Sequence, residues 1–204
     1  MRIIASLVGV AAALTALAAP LSDGDRGRIL TELQTSRKLF LDSVADLTPA
    51  QWTYKAGPDR WSIAEVSEHI VAAEGYIGGS IIGVVLKSPA DAAKASQREP
   101  NNAKIDEGVL VALRDRSKTA TAPAEITPKG IYKTPAEAVD AFNAARDKTV
   151  DYVKNSQDDM RDHFFSPIPG TELDGVQAFL FLAGHNERHV EQIEEVKKSP
   201  GYPK

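Results

Sequence analysis

Two histidines one turn apart, set into an apolar helical stripe, constrain this chain more than any other feature. Phe179, Leu182, His185, His189, Ile193 and Val196 follow one another at intervals of three or four residues, which puts them on one face of a helix. Positions i and i+4 lie ~40° apart around a helix axis and about one turn apart along it. Both imidazoles therefore leave the same face, toward a core or a cleft, close enough to hold one divalent ion. A protein-held transition metal usually takes at least three protein donors. The chain has 4 histidines, so the search for a third imidazole is confined to His69 and His163. A zincin-type protease would need glutamate directly after the first histidine. Asn186 stands there, and Glu187 lies ~180° from the mid-line of the pair, pointing away. The bland alternative is a set of core or surface histidines satisfied by hydrogen bonds.

Composition narrows the remaining chemistry. With no cysteine, disulfides, thiolate ligands and a cysteine nucleophile are excluded, which leaves His, Asp, Glu and backbone as metal donors. A formal net charge of −4 without a long basic run gives nucleic-acid binding no electrostatic support. A length of 204 residues suits one good-sized core.

Residues 1–18 stand apart. Arg2, the apolar run Ile3 to Leu17 and the sequence Ala16-Leu17-Ala18 have the order of a secretory signal peptide with cleavage after Ala18. The run falls short of a comfortable membrane span of ~20 residues. The expectation is a bacterial periplasmic or secreted protein with no stable membrane insertion once the signal is removed. An ordinary buried N-terminal helix or an uncleaved anchor is the competing reading.

The rest, residues 22–198, reads as one all-α domain with four long helices. The first spans Ser22 to Asp46, with Ile29, Leu30, Leu33, Leu39 or Phe40, and Val44 as its stripe. Thr48-Pro49 starts a short helical turn through Trp52. Ser62 and Glu65 form a capping box, stapled by Trp61, for a second helix to about Leu86. Its buried stripe is Val66, Ile70, Ala73, Ile77 and Ile81, with His69 at the edge. A long crossover from Ser88 to Lys133 holds one short helix around Glu107 to Arg116. Thr134, Pro135 and Glu137 form a second capping box, opening a third helix to about Asn155 that buries Ala138, Phe142, Ala145, Thr149 and Tyr152. The loop Gln157 to Leu173 carries His163. Asp174 and Gln177 cap the fourth helix, which bears the histidine pair and ends near Lys198. Four helices facing one another form a bundle able to build a site in its core.

Three stretches resemble the DinB-like family. Trp61-Ser-Ile-Ala-Glu-Val-Ser-Glu-His-Ile70 is similar to the segment leading to that family's first metal histidine. Thr121 to Phe142 is similar to its crossover into the third helix. Leu182-Ala-Gly-His-Asn-Glu-Arg-His-Val-Glu-Gln-Ile193 is similar to its His-x-x-x-His helix. The resemblance implies an up-down-down-up four-helix bundle with a long crossover between helices two and three. It implies a three-histidine metal centre of His69, His185 and His189, holding zinc or nickel, with iron also suited, and water in the open positions. Homodimers and activity toward an unidentified small-molecule substrate are implied as well. An export signal departs from the family's thiol-transferring members, because cytosolic thiol cofactors are scarce outside the cytoplasm.

Two function classes follow. One is a metal-dependent enzyme, a hydrolase or transferase, in which the ion lowers the pKa of a bound water or thiol. The other is a non-catalytic bundle that binds metal or a small ligand. Glu65 is explained by its capping box and no catalytic acid or base stands out. Gln192, ~40° from the mid-line of the pair, suits a hydrogen bond to a ligating histidine. Lys94, Lys104, Arg114 and Arg116 read as a solvated surface.

Overall fold

The computed structural model describes residues 20–117, 121–167 and 170–204; the expected signal peptide, residues 1–18, lies outside them. Seven α-helices run in chain order as α1 (Asp23–Val44), α2 (Pro49–Thr53), α3 (Ile63–Gly83), α4 (Ala92–Arg98), α5 (Asn102–Arg114), α6 (Pro135–Asn155) and α7 (Gly175–Lys197). Two-residue strands β1 (Phe164–Phe165) and β2 (Leu173–Asp174) pair antiparallel just before α7.

The starts of these helices are set by local chemistry. Ser62 and Asp174 close full capping boxes with Glu65 and Gln177, each satisfying two otherwise orphaned N–H groups. Thr48 does the same with Gln51 ahead of α2. At α6 only half of the expected box forms. The Thr134 hydroxyl accepts from Glu137 N–H, but the Glu137 carboxylate reaches one residue further back and accepts from Lys133 N–H at 2.7 Å.

The long helices α1, α3, α6 and α7 form a closed ring of packed pairs, α1–α7, α7–α3, α3–α6 and α6–α1. Contacts fix the directions. Arg26 near the start of α1 donates to the Val153 and Lys154 carbonyls at the end of α6, while Phe40 meets Phe142 edge-on at 4.8 Å, so α1 and α6 are antiparallel. His69 and Gly78 of α3 meet His189 and Leu182 of α7 in reversed order, so this pair is antiparallel too. Arg161 joins Asp25 at the start of α1 to Asp174 at the start of α7, which therefore run together. The bundle is up-down-down-up, as the resemblance implies, with α1 opposite α3 and α6 opposite α7 across its diagonals.

Its core is two apolar clusters. One gathers Ile29, Leu33, Ile81, Val150, Val153, Phe179 and Leu182. The other gathers Phe40, Trp52, Ile63, Val66, Ile70, Phe142 and Ile193. Between them the Arg146 guanidinium, 0% exposed, holds the Glu74 carboxylate, 1% exposed, at 2.7 Å. Arg146 also donates to the Leu33 carbonyl and the Ser36 hydroxyl, and Thr149 donates to Glu74. Arg146 corrects the stripe expected for α6. The buried face is Ala138, Phe142, Arg146, Thr149, Val150 and Val153, rotated so that Ala145 and Tyr152 are only partly covered.

The crossover is more structured than its composition suggests. The single short helix expected around Glu107 to Arg116 is two helices, α4 and a longer α5 starting at Asn102. The reason lies in tertiary packing. α5 docks on the outer side of α7 where Gly184 lacks a side chain; a Cβ there would sit 2.9 Å from Leu113 Cδ1. Arg114 then reaches the buried Glu187 carboxylate at 2.6 Å, and Arg116 grips Glu195 through two nitrogens at 3.0 and 2.9 Å. These two arginines fasten the crossover to α7 instead of forming the solvated surface expected for them. The stretch Ile63–Lys87 is long and apolar enough to cross a membrane. Here it is the core helix, with Glu68, His69 and Glu74 buried along it.

The buried pair gives a direct test. Glu74→Ala leaves the Arg146 charge uncompensated in the core and should cost about 3–5 kcal/mol, read as a lower midpoint in urea unfolding. A Glu74→Leu, Arg146→Met double variant should recover much of that loss. A single variant as stable as the parent would show the pair to be inconsequential.

Candidate metal centre

The second turn of α3 faces the middle of α7, and there three imidazoles meet. His185 and His189 leave one face of α7, as their spacing requires, and His69 crosses from α3. Ring centroids are separated by 4.3 Å for His69 and His189, 4.5 Å for His185 and His189, and 5.2 Å for His69 and His185. One ring nitrogen from each lies within 4.8 Å of the others. Trp61, the residue before the α3 cap, sits 5.1 Å from the His69 ring, and Phe181 lies 6.4 Å from that of His185.

Hydrogen bonds decide where the lone pairs point. His69 Nδ1 lies 2.8 Å from the Ile126 carbonyl, and His189 Nδ1 lies 2.9 Å from Gln192 Oε1. Both partners are acceptors, so both Nδ1 atoms must donate, and in neutral rings both Nε2 atoms are left with lone pairs. Those two Nε2 atoms face each other at 3.1 Å. Two lone pairs at that distance repel unless a cation lies between them. Donors ~2.0–2.1 Å from a common ion stand ~2.9–3.4 Å apart in octahedral or tetrahedral arrangements, and 3.1 Å falls in that range. The donor set thus fits a divalent transition metal.

Of the other candidates, Gln192 is where its angular position placed it, on the outer nitrogen of His189. Glu65 is a cap. Burial raises its pKa, but hydrogen bonds from Lys55 and Ser62 and the Lys55 charge bring it below the usual carboxylate value. His163 lies beside β1 with Nε2 3.5 Å from Asp162 Oδ1, outside the three-imidazole group. Glu187 points away from the site, to Arg114. The Ile126 carbonyl has no counterpart in the sequence reading, because a backbone acceptor 57 residues from its histidine leaves no local signal.

All three imidazoles are held neutral. Burial depresses His69, partly offset by its bond to Ile126. Burial brings His185 to about 3, helped by the charges of His69 and Arg188. His189 falls to about 2 through burial and then the charges of His185 and His69, with the Gln192 hydrogen bond opposing and Arg116 adding a smaller push. Neutral imidazole is the metal-binding form.

Each folded-state pKa lies below the ~6.5 of an unfolded histidine, so between the two the unfolded chain binds more protons. Stability of the metal-free protein should therefore be fully present above pH ~7 and fall as the pH drops from there toward 4. The slope should reach about 1.4 kcal/mol per pH unit for each histidine. Urea midpoints of metal-free protein, compared with those of a variant carrying phenylalanine at positions 69, 185 and 189, isolate this contribution. Parallel pH profiles for the two proteins would refute it.

Comparison with known proteins agrees with this architecture. The profile described as the DinB superfamily matches residues 32–193. No curated protein matches the sequence. Among solved structures, YfiT from Bacillus subtilis superposes with a TM-score of 0.56 at 12% identity, over 90% of this chain and 91% of that one. YfiT is described as a probable metal-dependent hydrolase with an unusual four-helix bundle topology. The extent of the profile match, reaching from within α1 to Ile193 in the histidine pair's helix, places this chain in the DinB superfamily.

Proposed function

We propose that the protein is a metal-dependent enzyme, a hydrolase in the first instance, with His69, His185 and His189 as ligands of one zinc or nickel ion. The observation that carries this reading is the pair of Nε2 lone pairs directed at each other across 3.1 Å. A proton is a poor occupant of that gap, because burial and mutual repulsion hold the imidazoles neutral. Three protein donors leave positions for water and substrate, the mark of a catalytic rather than a closed structural site. When bound, such an ion supplies Lewis acidity and lowers the pKa of a coordinated water.

The chain's own residues do the rest. The Ile126 carbonyl and Gln192 hold the outer protons of His69 and His189, which keeps both inner nitrogens directed at the ion. Trp61 packs beside His69, with ring centroids 5.1 Å apart. Among the described residues no carboxylate joins the three-histidine group, and this feature speaks for the alternative of a non-catalytic binding bundle. The likeness to YfiT supports a hydrolase over a transferase, as does the export proposed from residues 1–18. That export is tested by mass spectrometry of the protein from its native host; a chain retaining residues 1–18 in the cytosol would exclude it.

The purified protein should carry about one divalent ion per chain. Alanine at any one of the three positions should weaken binding sharply, and His163→Ala should leave it unchanged. Undiminished metal content in the triple alanine variant would end the reading. With metal restored, hydrolysis should be sought on ester and amide panels. Full metal occupancy without turnover on these or on thiol-transfer substrates would favour a binding bundle instead.

A further inference from the structure

The residue beside His69 is a buried acid with an unusual set of partners. Glu68 is 4% exposed, and its side chain leaves α3 toward the crossover. Its carboxylate accepts three consecutive backbone N–H groups, Lys129 at 2.5 Å through one oxygen and Gly130 and Ile131 at 2.7 and 2.9 Å through the other. Gly130 has φ +76°. That left-handed turn lets successive amides converge on one anion. Among the described residues no cation pairs with this carboxylate, so backbone amides alone compensate its charge.

The same crossover segment supplies the acceptor for His69. Ala124–Ile126 forms a single 3₁₀ turn, the Ile126 side chain is buried, and its carbonyl receives the Nδ1 proton of His69. Only Thr127 and Pro128 separate that carbonyl's residue from Lys129, the first amide held by Glu68. Two adjacent side chains of α3 therefore hold one short loop, one by its N–H groups and the other by a C=O.

We infer that Glu68 is a positioning residue for the metal centre. By anchoring Lys129–Ile131 it keeps the Ile126 carbonyl on His69 Nδ1, which fixes the tautomer that presents Nε2 to the ion. Without the carboxylate the loop loses the contacts that hold its three amides. The Ile126 carbonyl then moves away, and His69 is free to rotate or carry its proton on Nε2. The inference rests on the reading of His69 as a ligand. Gly130→Ala probes the same device from the other side. An added Cβ at Gly130 meets nothing within 4 Å, so the substitution acts through backbone conformation alone.

The test combines ¹⁵N NMR of the imidazoles in the metal-free protein with zinc titration, for the parent, Glu68→Ala, Glu68→Gln and Gly130→Ala. In the parent, His69 should be protonated on Nδ1. In Glu68→Ala and Gly130→Ala its Nε2-protonated form should appear, with the His189 signals unchanged and helical circular dichroism retained. Zinc affinity should fall about 10–100-fold, Glu68→Gln should lie between parent and alanine, and a Glu68→Ala, Gly130→Ala double variant should lose less than the product of the singles. An unchanged His69 tautomer and unchanged affinity in Glu68→Gln and Gly130→Ala would overturn the inference, even if Glu68→Ala fails to fold. Failure of the parent to bind any metal would overturn the metal reading instead, while the tautomer comparison would still show whether Glu68 controls His69.

Discussion

The guanidinium of Arg146 is the point on which the bundle's register depends. From α6 it reaches the Leu33 carbonyl and Ser36 hydroxyl of α1 and the Glu74 carboxylate of α3. Three of the four long helices are thus tied by one planar group whose donor directions are fixed. A buried ion pair seldom stabilises a fold more than well-packed hydrocarbon of the same volume would. Its contribution here is selective. Apolar faces on four similar helices can slide by a turn at modest cost, whereas a slide of α3 against α6 would leave both charges unpaired. Holding α3 in place also holds His69, five residues before Glu74 and facing α7.

The two apolar clusters on either side of this layer use that register. Gly78 of α3 lies where a Cβ would come within 3.2 Å of the Thr149 hydroxyl and 3.7 Å of Leu182. The helices α3, α6 and α7 therefore approach closely one turn beyond Glu74. The close approach keeps α3 near α7, and near contact is what lets His69 span the gap to His189.

What the sequence reveals tracks how local each cause is. Capping boxes at Ser62 and Asp174 and the periodic stripes depend on neighbours within a turn, and their helices appear within a few residues of the positions read from them. The His185 and His189 pair is legible for the same reason. His69 is different: spacing leaves it level with His163, and only the family resemblance separates them. The rotated face of α6 is hidden because periodicity rules place an arginine in water, while its true partner is 72 residues away. The length of α5 depends on Gly184, and the loop anchored by Glu68 on amides 61 to 63 residues distant. One local clue was available. Neither Glu68 nor Glu74 has a lysine or arginine three or four residues away, so a carboxylate on the buried side of α3 had to find its partner elsewhere in the fold.

The three histidines differ in how they are held, and that difference follows from the chain's topology. His189 is oriented by Gln192, three residues along the same rigid helix. His185 is enclosed by the rings of His69, His189 and Phe181. His69 alone takes its orientation from the crossover, the most irregular part of the fold. The crossover is in turn fastened to α3 through Glu68 and to α7 through Arg114 and Arg116, among other contacts. A long connection between the second and third bundle helices thus becomes part of the site, since it carries the acceptor that sets the tautomer of His69. Change in the crossover therefore reaches His69 through the Ile126 carbonyl and His189 through the charge of Arg116, while the orientation of the His189 ring stays with Gln192 on its own helix.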